Sequence, residues 1–516
     1  MLGRPLEHPL DVRRLYRPAK TEALQGGIQS RPEGRGVVYM KSSMTYQSGR
    51  FDPTAGGFAV MTRWLSPWVL LAVLIVQWML PVATLSAADD AETTSGTESI
   101  QSDGNDGRSI APDASWGGHL KLRGAASRPD SESIWGAVDA DTNYDGNVEG
   151  RLNNTLFFSD WIRFDTQYET VLSGGETRRE TAALSERFPG LTLEGVGVGR
   201  IPDDSTQVLD LTSVIRENDS DIWYHRIDRL VLGVSRPWGV LRIGRQAVTW
   251  SNGLVFNPRD LFNPFRPTDI EREYKPGTDL AYAQLPWQDR GNLQLLYVPR
   301  RNPETGDIEG NQSSLAGNLH LFRGTTEFDL IAAKHYEDFV TGLGGVGYLG
   351  RAAWRFDATW TILNSESPSD NYLSLVANMD VSWVWWRKNV YGFVEFYFNG
   401  LGEDDYQAAL GNPDIQKRLE RGELFVLGRY YVAALLQIEL HPLFNVFITD
   451  ITNLRDPSGI IQPRAVWDFA QNFQLIFGGN ILYGARGTEY GGIDIPGTAF
   501  TTQAPDSAYV WLNYYF

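Results

Sequence analysis

The sequence predicts an all-β fold, an antiparallel transmembrane β-barrel of about 18 strands, with 16 strands as the alternative. Three observations lead to this prediction. The chain ends on an aromatic strand, apolar and polar residues alternate in segments near ten residues long, and short connections alternate with long ones.

The closing segment, 506–516, gives the clearest strand. Because successive side chains of a strand alternate sides, one face carries Ala508, Val510, Leu512, Tyr514 and Phe516. A soluble protein rarely ends on such an apolar edge, because the edge invites aggregation. The pattern resembles the closing strands of bacterial outer-membrane barrels, so Tyr514 and Phe516 are the candidate signal for the barrel-assembly machinery. A strand buried in a soluble sheet is the alternative.

Period-two alternation continues back along the chain to Gly117. In segment 350–361, for example, alternate residues from Ala352 to Trp360 are apolar, and Arg351, Arg355 and Asp357 lie on the other face. Two segments leave the strand count open. Segment 339–346 is rich in glycine, and segment 223–234 places charged and apolar residues on the same face.

The connections support a membrane barrel over a soluble sandwich. Short periplasmic turns and long external loops alternate in transmembrane barrels. Counting back from a periplasmic C-terminus places every long connection on the outer side. The long connections are 126–147, 172–222, 250–276, 299–314, 362–370, 400–424 and 485–505.

The N-terminal region predicts export. Residues 61–88 combine a charged start, an apolar run and a small-residue cleavage site, which is typical of a cleavable signal peptide; an uncleaved inner-membrane anchor is the alternative. Residues 1–60 are interpreted as a mis-assigned start or a disordered extension, and 89–116 as a disordered leader before the barrel at 117–516. We therefore expect localisation in the outer membrane of a Gram-negative bacterium.

Composition excludes several function classes. The chain has no cysteine, and its six histidines show no zinc-ligand spacing, so we expect no metal site and no cofactor. A net charge of −17 argues against a nucleic-acid partner. With 12% aromatic residues and a mean hydropathy of −0.29, the chain is too polar for a helical membrane protein and suits a barrel with a wet interior.

The connection 250–276 is the unusual one. Its prolines restrict the backbone, and its apolar residues need something to pack against. We predict that it folds into the barrel and narrows the pore; a structured external cap or subunit contact is the alternative. Its polar residues are candidates to face a solute: Asn257, Arg259, Asp260, Asn263, Arg266, Asp269, Glu271, Arg272, Glu273 and Lys275.

The segment Leu241–Trp250, with its Gly244-Arg245-Gln246 core, and the Asn257-Pro258 to Pro276-Gly277 loop after it carry a family resemblance. They resemble the strand-and-loop signature of proteobacterial alginate-export-type and related porin-like barrels. The resemblance covers about 225–285 and implies an outer-membrane channel. It does not imply alginate, because export of an anionic polymer would require a strongly cationic lumen.

The predicted inward residues carry both signs of charge. Charges at these positions require a hydrated lumen or pairing between neighbours. They could select solutes, or they could hold a wide barrel in shape. The candidate lumen-lining residues are Arg163, Asp165, Glu169, Arg242, Gln246, Arg351, Arg355, Asp357, Asp380, Glu395, Glu439, Arg464 and Asp468.

These features predict a passive channel or exporter for polar small-molecule or polymeric solutes, with outer-membrane lipid around it. The oligomeric state is not predicted. Two other functions stay open. A membrane-embedded lipase or protease would need a Ser/His/Asp set near one rim, and a non-conducting surface or adhesion protein would use the loop as a plug.

Overall fold

The computed structural model of the chain describes residues 113–138, 141–188, 202–269 and 273–516. The predicted N-terminal extension, the signal peptide and all but the end of the leader lie outside these residues. The first strand begins at Asp113, four residues before the predicted start of the barrel.

Nineteen strands run through the described residues. Their alternating side chains follow the period predicted from the sequence. The strands are β1 (Asp113–Arg128), β2 (Asn143–Ser159), β3 (Ile162–Gly175), β4 (Thr212–Glu217), β5 (Asp221–Arg236), β6 (Gly239–Gln246), β7 (Thr278–Pro286), β8 (Gly291–Val298), β9 (Ser314–Arg323), β10 (Thr326–His335), β11 (Asp338–Leu349), β12 (Ala352–Ile362), β13 (Tyr372–Trp385), β14 (Lys388–Asn399), β15 (Tyr430–His441), β16 (Phe444–Asn453), β17 (Ser458–Ala470), β18 (Phe473–Tyr483) and β19 (Asp506–Tyr515).

The strands close into one antiparallel barrel. Each pairs with its neighbour in sequence, and β1 pairs with both β2 and β19, which removes any free edge. The short β4 is the exception, because it pairs only with residues 222–226 of β5, beyond the end of β6. The nineteen strands less β4 leave an eighteen-strand barrel, so the predicted all-β barrel is confirmed.

The two ends of the barrel differ as predicted. At one end of the barrel, tight turns join β2 to β3, β5 to β6, and then the pairs β7–β8, β9–β10, β11–β12, β13–β14, β15–β16 and β17–β18. The final residue, Phe516, bonds to the Gly118 backbone at that same end. The long connections gather at the opposite end, and their described parts contain three α-helices: α1 (Glu176–Arg187), α2 (Tyr406–Gly411) and α3 (Pro413–Glu420). Within the described part of the chain, no helix is long and apolar enough to cross a membrane.

The outer wall of the barrel is apolar, and the inner wall is mixed. Ile243, Trp360 and Met379 expose large parts of their side chains on the outside. Their neighbours Arg242, Thr361 and Asn378 face inward, because strand side chains alternate. A closed barrel satisfies every backbone hydrogen bond between strands, so this apolar outer wall suits a lipid environment.

A β-bulge explains the ambiguous pattern of β5. Gln167 pairs with Arg229 and the next residue, Tyr168, pairs with Ile227, so Asp228 is an extra residue on its strand. The bulge shifts the alternation by one residue. Arg226 and Asp228 therefore contact charged partners on the inner wall, whereas Leu232 on the other side of the bulge is exposed on the outside.

Long connections pack over the outer mouth of the barrel. We call residues 400–429 and 484–505 the outer cap. Leu401, Tyr406 and Ile415 of the cap form a buried apolar cluster with Tyr431 and Ile451 on the inner wall. A second cluster joins Trp135 and Leu184 to the cap residue Phe500. The cap therefore covers part of the mouth above β14–β17.

Candidate functional site

The connection between β6 and β7, residues 247–277, lies inside the barrel. We call it the inner loop; residues 270–272 are not described. It contacts the inner wall far from the strands it joins. Hydrogen bonds and ion pairs link it to β10, β12 and β14 on one side, and to β17, β19 and β1 on another. The loop therefore crosses the lumen.

Glu395 on β14 holds the first part of the inner loop. Its carboxylate accepts hydrogen bonds from three successive backbone N–H groups, those of Leu254 at 2.6 Å, Val255 at 3.0 Å and Phe256 at 2.7 Å. The Phe256 ring then stacks on Tyr397, with 4.4 Å between centroids. Because Glu395 is fully buried, these charged hydrogen bonds form away from water and fix the backbone of the loop.

Asp357 on β12 holds the preceding residues in the same way. It accepts hydrogen bonds from the Ser251 hydroxyl at 2.5 Å and the Asn252 backbone at 2.6 Å. The Asn252 side-chain amide adds a third bond at 3.0 Å. Asp357 is also fully buried, so it acts as a wall support for the loop.

Arg259 extends from the inner loop into the barrel wall and has no exposed surface. Its guanidinium lies 3.2 Å from Asp329 on β10 and 3.4 Å from Asp357 on β12, and it donates to the Trp250 carbonyl. Two carboxylates and a carbonyl thus surround one buried cation. Such a group is costly to bury unless it is paired, so these contacts are structural supports.

Gly344 makes room for Arg259. In the strand register, Asp329 pairs with Gly344 and Gly344 pairs with Asp357, so the glycine lies between the two carboxylates. A Cβ atom at residue 344 would lie 1.8 Å from Arg259 Nη1 and 2.4 Å from Asp357 Oδ1. Only a residue without a side chain fits here, which explains one glycine of the Gly-rich strand β11.

The far part of the inner loop contacts the opposite wall. The Thr268 carbonyl accepts a hydrogen bond of 3.1 Å from Gln462 on β17. Glu273 pairs with Lys121 on β1 at 2.8 Å. The Tyr274 ring lies under the guanidinium of Arg151 on β2, 4.1 Å from its centroid. Contacts on both sides of the lumen therefore fix the loop across the barrel.

The predicted solute-facing residues of the inner loop differ in their exposure. Arg259, Asp260 and Lys275 were expected to face a solute, but they are buried; Lys275 pairs with Asp260 at 2.6 Å. The burial of these charges is tolerated because each one has a partner of opposite charge. Asn263 donates to Thr278, and Asp269 accepts from the Arg266 backbone. The exposed residues are Arg266 and Glu273, and Asn257 is half-buried; Glu271 and Arg272 lie outside the described residues.

The predicted lumen residues fall into three groups. Glu169, Gln246, Asp357 and Glu395 lie on the inner wall but are buried under the inner loop or within ion pairs. Arg351 lies in the tight turn before β12 and is exposed. The others are half-buried on the inner wall, several in pairs such as Arg163 with Asp165 at 3.2 Å; they are Arg163, Asp165, Arg242, Arg355, Asp380, Glu439, Arg464 and Asp468.

The Gly244-Arg245-Gln246 segment supports loops on both faces of the wall. Gln246 ends β6 directly before the inner loop, and its side chain donates to the Leu280 carbonyl. Arg245 faces outward and pairs with Asp279 at 2.9 Å and with Asp204 at 2.8 Å. The segment around Asp204 covers this outward pair, because Arg245 also donates to the Leu209 carbonyl. The segment that carried the family resemblance therefore adjoins two long connections, the inner loop and the segment around Asp204.

A Ser/His/Glu set converges near the outer rim. Ser314 Oγ lies 3.0 Å from His335 Nδ1, and His335 Nε2 lies 3.0 Å from Glu423. This is the geometry that a hydrolase would need, but Ser314 has no exposed surface and also accepts a hydrogen bond from Arg300 at 2.7 Å. The set therefore joins the outer cap to the wall and presents no nucleophile to a substrate.

Glu423 of the outer cap is the charged partner in that set. Burial disfavours its ionised form, but His335 and the nearby Arg421 and Arg418 outweigh burial and lower its pKa from 4.5 to about 2. Among the described residues, no group of three or more carboxylate or histidine side chains is arranged to hold a metal ion.

We expect Glu423→Gln to lower the thermal unfolding midpoint at pH 7, by the equivalent of about 2 kcal/mol. Because the pKa of Glu423 is depressed, its contribution is present above pH 4.5 and is lost as the pH falls toward 2. The difference in midpoint between the variant and the unaltered protein should therefore shrink between pH 7 and pH 3. The exposed Glu420 of the same cap provides the control, Glu420→Gln; an equal difference at both pH values would contradict the prediction.

The comparisons with known proteins give distant structural similarities. No protein-family model matches the chain, and no curated protein matches it. Among solved structures, OccAB2 of Acinetobacter baumannii has 10% sequence identity and a TM-score of 0.45, with 78% of this chain and 98% of that chain covered. A BenF-like porin from Pseudomonas fluorescens Pf-5 has 8% identity and a TM-score of 0.45, with 79% and 100% covered.

A third similar structure is Wzi of Escherichia coli, described as a carbohydrate-binding outer-membrane β-barrel, with 9% identity, a TM-score of 0.43, and 78% and 84% covered. The resemblance to alginate-export-type barrels finds no support in these comparisons and remains an expectation. The geometry of the barrel and its inner loop therefore carries the functional argument.

Proposed function

We propose that this protein is a porin-like channel of the bacterial outer membrane, through which polar solutes pass passively, and that the inner loop is its constriction. The observation that carries the proposal is the Arg259 contact with Asp329 and Asp357 across Gly344. With Glu395, it fixes a loop inside the lumen of a closed barrel, at a position where the loop must narrow any path.

The supports are strong enough to keep the loop in one position. Removing one partner of a buried charge pair costs about 3–5 kcal/mol, because the other charge stays buried without compensation. Arg259, Asp357 and Glu395 are all fully buried. A loop held by a buried charge pair and by the hydrogen bonds to Glu395 should not open and close freely, so it supports a pore of fixed size.

The polar inner wall favours a channel over a plug. Arg163, Arg242 and Arg464 are half-buried on the inner wall, and charged groups at such positions require a hydrated lumen or a charged partner. We further propose that lipid surrounds the apolar outer wall and that Phe516, at the end with the tight turns, belongs to the signal for barrel assembly.

Single-channel recording in planar bilayers tests the proposal. Purified protein should produce discrete conductance steps in NaCl solution. A matched variant, in which residues 251–269 are replaced by a short Gly-Ser linker, should produce larger steps because the constriction is missing. An absence of steps from both proteins would show a non-conducting barrel, and equal steps would show that the loop does not limit the current.

A further inference from the structure

The end of the barrel with the tight turns carries an excess of basic side chains, although the whole chain has a net charge of −17. The exposed side-chain carboxylates in these turns are Asp160 and Asp289. The exposed basic residues in and beside the turns are more numerous: Arg236, Arg290, Arg323, Arg351, Arg387 and Lys388. This rim therefore attracts anions, in contrast to the protein as a whole.

The turn between β13 and β14 places two of these basic residues beside tryptophan rings. Trp385 pairs with Lys388 in the strand register, which leaves Trp386 and Arg387 as a two-residue turn. Trp386 is 83% exposed, the largest exposed fraction among the large apolar side chains of the described residues. Its ring stacks on Trp385, with 4.9 Å between the ring centroids. The turn thus presents an aromatic pair next to two cations.

This combination lies on the outer side of the wall. Asn389 contacts the inner-wall carboxylate of Glu439, so its neighbour Lys388 and the Trp385 that pairs with Lys388 face outward. Lys388 donates to the Leu440 carbonyl, which leaves its charge without a counterion. Arg387 is exposed, and in the described part of the chain no carboxylate lies within ion-pair distance of it. Both charges are therefore available to a ligand outside the barrel.

The backbone of the turn is unfavourable for the residues that form it. Both central residues lie in the left-handed region, with φ of 47° for Trp386 and 63° for Arg387. Two-residue hairpin turns of this kind favour Asn-Gly, because larger side chains disfavour a positive φ. Strained backbone at an exposed position is typical of residues that serve a contact rather than the fold.

We propose that the β13–β14 turn binds the headgroup of an anionic phospholipid, and this rests on the proposed insertion of the barrel in the outer membrane. Arg387 and Lys388 would pair with the lipid phosphate. The rings of Trp385 and Trp386 would lie at the boundary between headgroups and acyl chains, which suits an apolar ring with one polar N–H group. A zwitterionic headgroup would bind more weakly, because its own cation is repelled by the two basic residues.

Lipid binding by the purified protein in detergent tests the site. Native mass spectrometry with phosphatidylglycerol or phosphatidylcholine measures the apparent dissociation constant of the first bound lipid. The unaltered protein should bind phosphatidylglycerol more tightly, and Arg387→Gln should weaken that binding about fivefold. Arg128→Gln is the matched control and should leave the binding unchanged, because Arg128 is an exposed arginine on the outward face of β1 at the opposite end of the barrel.

Trp386→Asn separates a binding role from a structural role. Asparagine adopts a left-handed backbone more readily than tryptophan does. The variant should therefore unfold at a higher temperature than the unaltered protein and still bind phosphatidylglycerol more weakly. A lower unfolding midpoint together with unchanged lipid binding would show that Trp386 serves the fold and would overturn the site.

The failures are distinguishable. Equal binding of the two lipids by the unaltered protein, or equal phosphatidylglycerol binding by Arg387→Gln and the unaltered protein, overturns the headgroup site and leaves the channel function intact. An absence of conductance steps from a protein that prefers phosphatidylglycerol overturns the channel function alone. A protein that does not float with lipid vesicles in a density gradient overturns the membrane insertion on which both proposals rest.

Discussion

Channels with Arg259→Ala are expected to show a single-channel conductance at least about twofold larger than the unaltered protein, with more current noise. The substitution removes the guanidinium that links the inner loop to Asp329 and Asp357, and both buried carboxylates lose this partner. The inner loop should lose its fixed position and widen the pore. Single-channel recording in planar bilayers measures both the step size and the noise.

Gly344→Ala should reproduce that result without removing any charge. Its Cβ atom would occupy the space of the Arg259 guanidinium, at 1.8 Å from Nη1, so the loop must move. Arg323→Ala is the control, because Arg323 is an exposed arginine at the end of β9, outside the inner loop. Unchanged steps in both Arg259→Ala and Gly344→Ala would show that the loop position does not depend on this contact.

Glu395→Ala is expected to lower the free energy of unfolding by about 3 kcal/mol, because it removes the carboxylate that accepts from three backbone N–H groups, two of them buried. The three groups belong to Leu254, Val255 and Phe256, and the stacking of Phe256 on Tyr397 should weaken with them. Urea-induced unfolding of the protein in detergent, followed by tryptophan fluorescence, measures the change.

Glu439→Ala serves as the control for Glu395→Ala. Glu439 is a half-buried carboxylate on the neighbouring strand β15, and its partner is the exposed side chain of Asn389 at 3.2 Å. We expect an effect below about 1 kcal/mol for this substitution. Equal losses in the two variants would mean that Glu395 does not hold the loop.

The barrel itself was predictable from the sequence because each strand shows its two faces directly. Apolar outer positions such as Trp360 alternate with polar inner positions such as Arg355, and no tertiary information is needed to see this. The bulge at Asp228 was not predictable, because an extra residue on one strand is defined only by the residues that pair with it.

The inner loop could be predicted from the sequence only in part. Prolines and apolar residues predicted a folded loop, and the structure places that loop inside the barrel. The supports of the loop depend on strand register, which brings Asp329, Gly344 and Asp357 from three strands into one row. The glycines of β11 were visible in the sequence, but there they indicated only an uncertain strand and not the space that Arg259 needs.

The exposure of individual charged residues on the loop could not be predicted from the sequence either. Arg259 and Arg266 are seven positions apart on one loop, yet the first is fully buried and the second is exposed. Their difference follows from carboxylates that lie far away in sequence on β10 and β12. Charge type alone therefore does not separate a structural support from a residue that faces the pore.

The central claim is that the inner loop lines the narrowest part of an open pore. The chain has no cysteine, so Arg266→Cys introduces a single thiol on the exposed part of the loop. Addition of a negatively charged methanethiosulfonate reagent during single-channel recording should cause a stepwise, permanent drop in current. Leu285→Cys on the outer wall should show no drop. An unchanged current through Arg266→Cys channels, with complete modification verified by mass spectrometry, would contradict the claim.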